Sequence, residues 1–119
     1  MARWEVGSTD EFDEWWDTLD DFAQGSIDAH VELLGDQGPN LGYPYSSDIA
    51  GSRHGNLREL RVQSKGRPFR IFYAFDPRRN AIILIGADKT GDKRFYERMI
   101  PIADRLYDTH LREIGDEDG

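Results

Sequence analysis

The sequence predicts a single α+β domain. Between residues 57 and 87, apolar residues alternate with polar ones or form short continuous runs, which is typical of β-strands. On both sides of this region, from Phe12 to Leu34 and from Phe95 to Leu106, apolar residues return at helical spacing. Consecutive strands with short turns between them, flanked by helices, indicate an α+β layout built on an antiparallel meander.

The N-terminal part predicts a short strand followed by a helix. Residues 3–6 are the candidate strand. Ser8 and Glu11 have the spacing of a capping box, so we expect Ser8 to be the N-cap of the first helix. The apolar residues of that helix continue to Phe22, and acidic residues fill its other face.

A second helix and a long loop are predicted next. We expect Gly25 and Ser26 to break the first helix, and the second helix to end before Gly35 or Gly38. Residues 35–56 are rich in glycine, proline, serine and asparagine, which is typical of a loop. Three residues are predicted to attach this loop to the core: Leu41, Tyr43 and Ile49.

The central region predicts three antiparallel strands. They cover residues 57–63, 69–75 and 81–87, and residues 65–68 and 76–80 form the turns between them. The third strand is apolar on both faces, so we expect it to lie in the interior of the sheet.

Two arginines are predicted to lie side by side on this sheet. The middle strand places four residues on the face that is expected to pack on the first two helices: Phe69, Ile71, Tyr73 and Phe75. Arg61 and Arg70 then lie on neighbouring strands, both on the opposite face. Adjacent guanidiniums repel unless an anion lies over them, and the planar fork of arginine suits phosphate. The pattern therefore predicts a phosphate site.

Structural roles for the same side chains remain open. Arg61 could pair with Glu59 or with the acidic first helix, and Arg70 could stack between its aromatic neighbours. Lys89 could only solvate its loop, and Tyr96 could be a core residue of the last helix.

The C-terminal part predicts one helix with an interruption. Pro101 lies inside its apolar pattern and is expected to kink or split it. Residues 115–119 are predicted to be a frayed tail. Because the chain shows neither an internal repeat nor a linker, residues 1–119 are expected to form one domain.

The basic residues are concentrated in the meander. Twelve of the fifteen lysines and arginines lie in residues 53–98, which carry a net charge of +7. Residues 1–52 carry −11 and residues 99–119 carry −4, so the total of −8 conceals a cationic segment. A cationic segment inside an acidic chain indicates an anionic partner that binds at one surface, most often through phosphate.

Several classes of protein are disfavoured. The chain has no cysteine, and its histidines at positions 30, 54 and 110 lack metal-ligand spacing; His54 alone is kept as a candidate acid or base. It also lacks a glycine-rich nucleotide-binding motif, so we expect neither a metal nor a cofactor. No apolar run approaches the roughly 20 residues that span a bilayer, and the N-terminus lacks a signal-peptide pattern. We expect a soluble cytoplasmic protein without membrane contact.

Three segments of the meander resemble a known family. They are L-R-E-L-R at residues 57–61, F-R-I-F-Y-A-F at 69–75 and I-I-L-I-G-A-D-K at 82–89. Together they resemble the RelE/ParE toxin superfamily, and most of all its HigB-like, phage-derived branch. The resemblance covers nearly the whole chain in the order of its elements, and the likeness in sequence is concentrated in residues 55–105.

The resemblance implies a function. Such proteins are toxins of type II toxin–antitoxin systems, and the HigB-like ones are metal-independent endoribonucleases (mRNA interferases). They cleave mRNA, commonly on the ribosome, by using the RNA's own 2′-OH as nucleophile. A cognate antitoxin protein neutralises them in a hetero-oligomer. Two alternatives stay open: a ParE-like toxin that inhibits DNA gyrase, and an inactive protein-binding module of the same fold.

The resemblance also implies a set of site residues. Arg70 matches the family's strand arginine and is expected to stabilise the phosphate. Catalytic roles are implied for a set of four: Arg70, Arg61, Lys89 and Tyr96. RNA-binding roles are expected for a further set: His54, Lys65, Arg67, Lys93 and Arg94.

Overall fold

A computed structural model describes the backbone of residues 3–118 and the side chains of residues 3–115. In chain order the elements are β1 (Val6–Ser8), α1 (Asp10–Asp17), α2 (Asp21–Gln37), a short 3₁₀ turn (Gly38–Asn40), β2 (Ser46–Asp48), β3 (Leu57–Ser64), β4 (Arg67–Phe75), β5 (Ala81–Asp88) and α3 (Phe95–Asp118). No described helix is both long enough and apolar enough to cross a membrane.

The strands form one five-stranded sheet in the order β1-β5-β4-β3-β2. The predicted meander of β3, β4 and β5 is confirmed, and both of its pairings are antiparallel. β1 extends the sheet by pairing with β5 in parallel, and β2 extends the other edge by pairing with β3. β5 is therefore an interior strand, as its apolar sequence predicts.

Each face of the sheet packs on different helices. One face joins α1 and α2 in a core that includes Phe69, Ile71 and Tyr73, with Phe75 packed at its edge, as predicted. The opposite face joins α3 in a second core, in which Phe72 and Leu84 meet residues such as Phe95. Along β3 and β4, every second side chain therefore faces α1 and α2, and the side chains between them face α3.

The predicted start of the first helix was wrong. Thr9, not Ser8, is the N-cap, because its hydroxyl accepts from the Phe12 N–H at 3.0 Å and donates to the Leu84 carbonyl at 2.6 Å. Ser8 instead donates to Asp13. The first strand is also shifted from residues 3–6 to Val6–Ser8, which are the residues that pair with β5.

The predicted break between the first two helices was also misplaced. α1 ends at Asp17, and Asp20 is the N-cap of α2, since its carboxylate accepts from the Ala23 N–H at 2.8 Å. Gly25 and Ser26 lie inside α2, which continues to Gln37. The start of α2 is therefore determined by the N-cap Asp20, which precedes Gly25 in the chain.

The predicted loop of residues 35–56 contains structure that its composition does not indicate. α2 enters it, and residues 46–48 form the edge strand β2. Leu41 is buried and Ile49 packs on the second core, as predicted, but Tyr43 is 78% exposed and does not anchor the loop.

α3 is a single helix. Pro101 lies within it, as predicted, and of the kink or split expected at that position the split does not occur. Apolar residues on both sides of the proline, including Met99 and Ala103, are buried on the sheet and hold the two parts of the helix in place. Residues 115–118 are helical, and Gly119 lies outside the described residues.

A glycine on β5 permits close contact with α1. A β-carbon at Gly86 would lie 2.3 Å from the Trp15 ring and 2.8 Å from Ile71, whereas one at Gly25 would meet nothing within 4 Å. We expect Gly86→Ala to lower the free energy of unfolding by about 1–3 kcal/mol through overpacking. Gly25→Ala, a control inside α2, should raise it by about 0.5–1 kcal/mol. Urea denaturation measures both free energies of unfolding. A Gly86→Ala variant as stable as wild type would contradict this packing.

Candidate functional site

The two predicted arginines lie directly opposite each other. Arg61 of β3 and Arg70 of β4 are register partners, and Glu59 lies two residues before Arg61 on the same strand. All three side chains belong to the face of the sheet that carries α3. Glu59 is 4% exposed and Arg70 is 9% exposed, so the cluster is largely removed from water.

The Glu59 carboxylate is the centre of this site. Its Oε1 accepts from the Tyr96 hydroxyl at 2.8 Å and lies 3.7 Å from Arg70 Nε. Its Oε2 accepts from the Ser47 hydroxyl at 2.8 Å and from an Arg61 guanidinium nitrogen at 3.4 Å. Side chains from β2, β3, β4 and α3 therefore meet at one carboxylate, and the pairing of Arg61 with Glu59 that the sequence left open is present.

One carboxylate does not neutralise two guanidiniums. The site keeps a net positive charge, and the buried Arg70 Nε has no hydrogen-bond partner among the described residues. Its 3.7 Å separation from Glu59 is too long for a hydrogen bond. Another nitrogen of Arg70 donates to the Phe69 carbonyl at 3.0 Å, which directs the guanidinium. A buried cationic donor without a partner favours binding of an anion.

Tyr96 contributes a protonated hydroxyl. Burial raises the pKa of the Tyr96 phenol, and the hydrogen bond to Glu59 raises it further, while Arg70 opposes both effects. The phenol therefore keeps its proton at neutral pH and acts as a donor. Its ring lies edge-on to Phe72, with the centroids 6.3 Å apart, and this contact orients the first turn of α3.

Lys89 joins the site from the segment that follows β5. Its ammonium lies 5.8 Å from the centroid of the Tyr96 ring. Its backbone N–H donates to the Pro68 carbonyl at 2.8 Å and so ties the segment to β4. Of the four predicted catalytic residues, the structure thus brings Arg61, Arg70 and Tyr96 together at Glu59 and places Lys89 beside Tyr96.

The predicted RNA-binding residues are more dispersed. Arg67 pairs with Asp20 at 3.1 Å, and Lys65 lies over the Phe22 ring, so both contact the α2 side of the sheet. Lys93 and Arg94 are exposed in the segment between β5 and α3. None of these four contacts Glu59 through a described hydrogen bond or ion pair.

His54 lies beside the middle of α3, away from Glu59. Its Nε2 is 2.8 Å from Asp108, and its ring lies edge-on to Tyr107. Arg53, and then His54, lower the pKa of the Asp108 carboxyl. Asp108 follows Tyr96 by twelve helical residues, or about 18 Å along the axis, so His54 does not reach Glu59.

Two cavities adjoin the cluster. A pocket of about 200 Å³, the Tyr43 pocket, is lined by Tyr43, Pro44, Arg61, Gln63 and Arg70. A larger groove of about 590 Å³ runs between residues 50–53 and α3, and Tyr96 contributes to its wall. The two arginines therefore line the Tyr43 pocket, and Tyr96 lines the groove.

Reasoning from the sequence missed Glu59 and Ser47 as site residues. Glu59 could have been found, because the two-residue period places it on the same face as Arg61 in a strand with little exposed surface. Ser47 could not, since it belongs to β2, a polar edge strand without an apolar pattern.

The fold and the site together define a class of protein. It is a small α+β domain whose sheet carries a buried arginine–glutamate cluster at the start of its C-terminal helix. Residues 14–108 match the family of phage-derived Gp49-like proteins, and the chain belongs to this family. The HigB-like branch inferred from the meander is confirmed by this match and by the relatives.

Two relatives come from Mycobacterium tuberculosis. The candidate toxin HigB3 is 41% identical over 102 residues, which are 85% of this chain and 88% of HigB3. The candidate toxin HigB2 is 39% identical over 104 residues, which are 86% of this chain and 52% of HigB2. The chain thus spans about half of HigB2 and most of HigB3.

Two solved structures share the fold. The toxin RelE of E. coli, as a double-arginine variant in the free state, superposes with a TM-score of 0.59 at 10% identity, covering 83% of this chain and 96% of RelE. The archaeal RelE–RelB complex from Pyrococcus horikoshii gives a TM-score of 0.55 at 12% identity, and the match covers 74% of this chain and 97% of the matched chain. These similarities confirm the predicted RelE-like fold.

The packing around Glu59 predicts how substitutions at the site change stability. Glu59→Gln leaves two partly buried guanidiniums without a counter-charge, so we expect the free energy of unfolding to fall by about 3 kcal/mol. Tyr96→Phe removes one hydrogen bond and should cost about 1 kcal/mol. Urea denaturation at neutral pH measures both. Equal stability of Glu59→Gln and wild type would contradict the central role of this carboxylate.

Proposed function

We propose that this protein is the toxin of a toxin–antitoxin pair and that it arrests growth as an endoribonuclease that cleaves mRNA. One observation carries the proposal: the under-neutralised pair of Arg61 and Arg70, with a carboxylate and a protonated phenol beside it. Membership of the Gp49-like family and the two candidate toxins among its relatives support the role of toxin.

The reaction that suits this site is internal transfer at an RNA phosphate. The 2′-oxygen attacks the adjacent phosphorus, a P–O2′ bond forms, and the P–O5′ bond breaks. A base takes the 2′-hydroxyl proton and the leaving 5′-oxygen gains one, which gives a 2′,3′-cyclic phosphate and a 5′-hydroxyl. The protein must supply positive charge for the crowded phosphorus and groups that move the two protons.

The arginines stabilise the charge that develops on the phosphate. Arg70 offers a buried Nε without a partner, and Arg61 offers donors that its long 3.4 Å contact with Glu59 engages only weakly. A phosphate oxygen would satisfy both guanidiniums, and the donors gain strength as negative charge accumulates in the transition state. Lys89 adds a third positive charge beyond Tyr96.

Glu59 and Tyr96 can divide the proton transfers. A carboxylate next to the phosphate site is a base for the 2′-hydroxyl, so Glu59 takes this role. The raised pKa of Tyr96 makes it unsuitable as a base, and its hydroxyl can donate to the leaving oxygen once RNA displaces the bond to Glu59. The proposal requires no cofactor.

The distribution of charge limits how RNA can approach. The chain has a calculated pI of about 4.8, and its acidic α1 and α2 cover the face of the sheet opposite Arg61 and Arg70. We propose that mRNA, on the ribosome in the cytoplasm, reaches the cluster from the α3 side, where Lys93 and Arg94 are exposed. Lys65 and Arg67 remain candidates for contacts with a longer RNA, and His54 for one beside the middle of α3.

The same charge gives an antitoxin a means of neutralising the site. A cognate antitoxin protein with an acidic segment over Arg61, Arg70 and Lys89 would occupy the place of the phosphate. The fold of the archaeal RelE–RelB complex supports assembly with a partner of this kind. Such a complex is expected to weaken as the salt concentration rises.

The test of the proposal is inducible expression in a bacterial host with mapping of mRNA 5′ ends. Wild type should arrest growth and produce new ends inside coding regions. Arg70→Ala should reduce cleavage by about 10²–10³-fold, because it removes a donor to the transition state. Arg105→Ala, an exposed arginine of α3, is the matched control and should behave as wild type.

Other outcomes separate the alternatives. A folded Arg70→Ala variant that stays fully toxic would contradict the mechanism. Arrest without new mRNA ends but with broken DNA would favour inhibition of gyrase. Absence of arrest by the wild type would leave a protein-binding module of the same fold.

A further inference from the structure

Tyr43 is a large aromatic side chain presented to solvent beside the site. Its relative exposure is 78%. The Gly42 carbonyl accepts from the N–H groups of Tyr45 and Ser46, which closes the turn around Tyr43. The Arg61 N–H donates to the Tyr45 carbonyl at 2.8 Å and holds this turn against β3. The ring is therefore exposed on a rigid support.

The turn is also attached to the centre of the cluster. The Ser46 hydroxyl bonds to the Tyr73 hydroxyl at 2.6 Å in the core, and Ser47 donates to Glu59. The residues that follow Tyr43 thus share hydrogen bonds with the groups that hold Arg61 and Arg70. Any ligand on Tyr43 lies in a defined position relative to the phosphate site.

Tyr43 and the arginines form the walls of one pocket. The Arg61 guanidinium carbon lies 5.4 Å from the centroid of the Tyr43 ring, in the range of a cation–π contact. The Tyr43 pocket is lined by this ring, by both arginines and by Gln63. Gln63 is exposed, and amides hydrogen-bond readily to the edges of bases.

We propose that the Tyr43 pocket binds a nucleobase of the RNA, next to the phosphate that Arg61 and Arg70 hold. This inference rests on the proposed function. Bases of single-stranded RNA are unstacked and bind by stacking on aromatic side chains and on guanidinium planes, and the pocket offers both surfaces. Tyr43 positions the substrate, and Gln63 contacts the edge of the base.

The chain contains a matched control for Tyr43. Tyr45 lies in the same turn and is 48% exposed, but its ring contacts His30 of α2, with centroids 6.1 Å apart. It therefore faces the other side of β2 and does not line the Tyr43 pocket. Tyr45→Ala thus removes an exposed tyrosine from this turn and leaves the pocket wall intact, whereas Tyr43→Ala removes the pocket wall as well.

The experiment measures cleavage of a defined mRNA bound to ribosomes, under single-turnover conditions and at a series of protein concentrations. Nucleotides around the cleavage site are replaced by abasic ones, one at a time. For wild type, we expect one abasic position to raise the half-saturating concentration by about 5- to 150-fold, the range for loss of one stacked base. Tyr43→Ala should cause the same rise on intact mRNA with the maximal rate retained.

The decisive measurement combines the Tyr43→Ala substitution with the abasic nucleotide. Tyr43→Ala should be insensitive to the abasic substitution at that one position, whereas Tyr43→Phe and Tyr45→Ala should respond as wild type does. The nucleobase site would be overturned, with the ribonuclease left in place, by either of two results. One is that Tyr43→Ala and the abasic nucleotide raise the half-saturating concentration additively. The other is that Tyr43→Ala has the same half-saturating concentration as wild type. A wild type that cuts none of these mRNAs would contradict the proposed function, and the nucleobase site with it.

Discussion

The contact of one buried carboxylate with two guanidiniums is the interaction on which the site depends. Glu59 receives hydrogen bonds from Ser47, Arg61 and Tyr96, and so connects β2, β3 and α3. Without it, the repulsion between Arg61 and Arg70 would oppose the register of β3 and β4. With it, one positive charge still remains unmatched, so the same carboxylate both permits the cluster to fold and leaves it able to bind an anion.

The basic residues of the meander differ in their partners. Several pair with acidic side chains outside the cluster, as Arg67 does with Asp20 and Arg58 with Asp48. Arg61 and Arg70 instead share one carboxylate. Part of the net charge of residues 53–98 is therefore neutralised within the protein, whereas the excess charge of Arg61 and Arg70 is concentrated at one carboxylate. In this way an acidic protein can carry a local site that favours an anion.

The sequence predicts features that are set by a pattern within one segment, and it does not predict features that depend on residues distant in the chain. The meander and the adjacency of Arg61 and Arg70 follow from a two-residue period, and the structure confirms both. The choice of Thr9 over Ser8 as cap depends on the Leu84 carbonyl, which lies 75 residues away in the chain. β2 is Ser-Ser-Asp, and its place in the sheet comes from partners such as Tyr73 and Glu59. A site assembled from four elements cannot be read from one segment, and Ser47 was missed for this reason.

The most direct test of this account is a crystal structure of the protein with a short RNA whose attacking 2′-hydroxyl is replaced by hydrogen, which blocks cleavage. We expect a backbone phosphate within hydrogen-bond distance of Arg70 Nε and Arg61, with the Tyr96 hydroxyl turned from Glu59 toward the ribose or the leaving oxygen. An RNA bound at another surface, with the Glu59 contacts unchanged and no phosphate at Arg70, would contradict it.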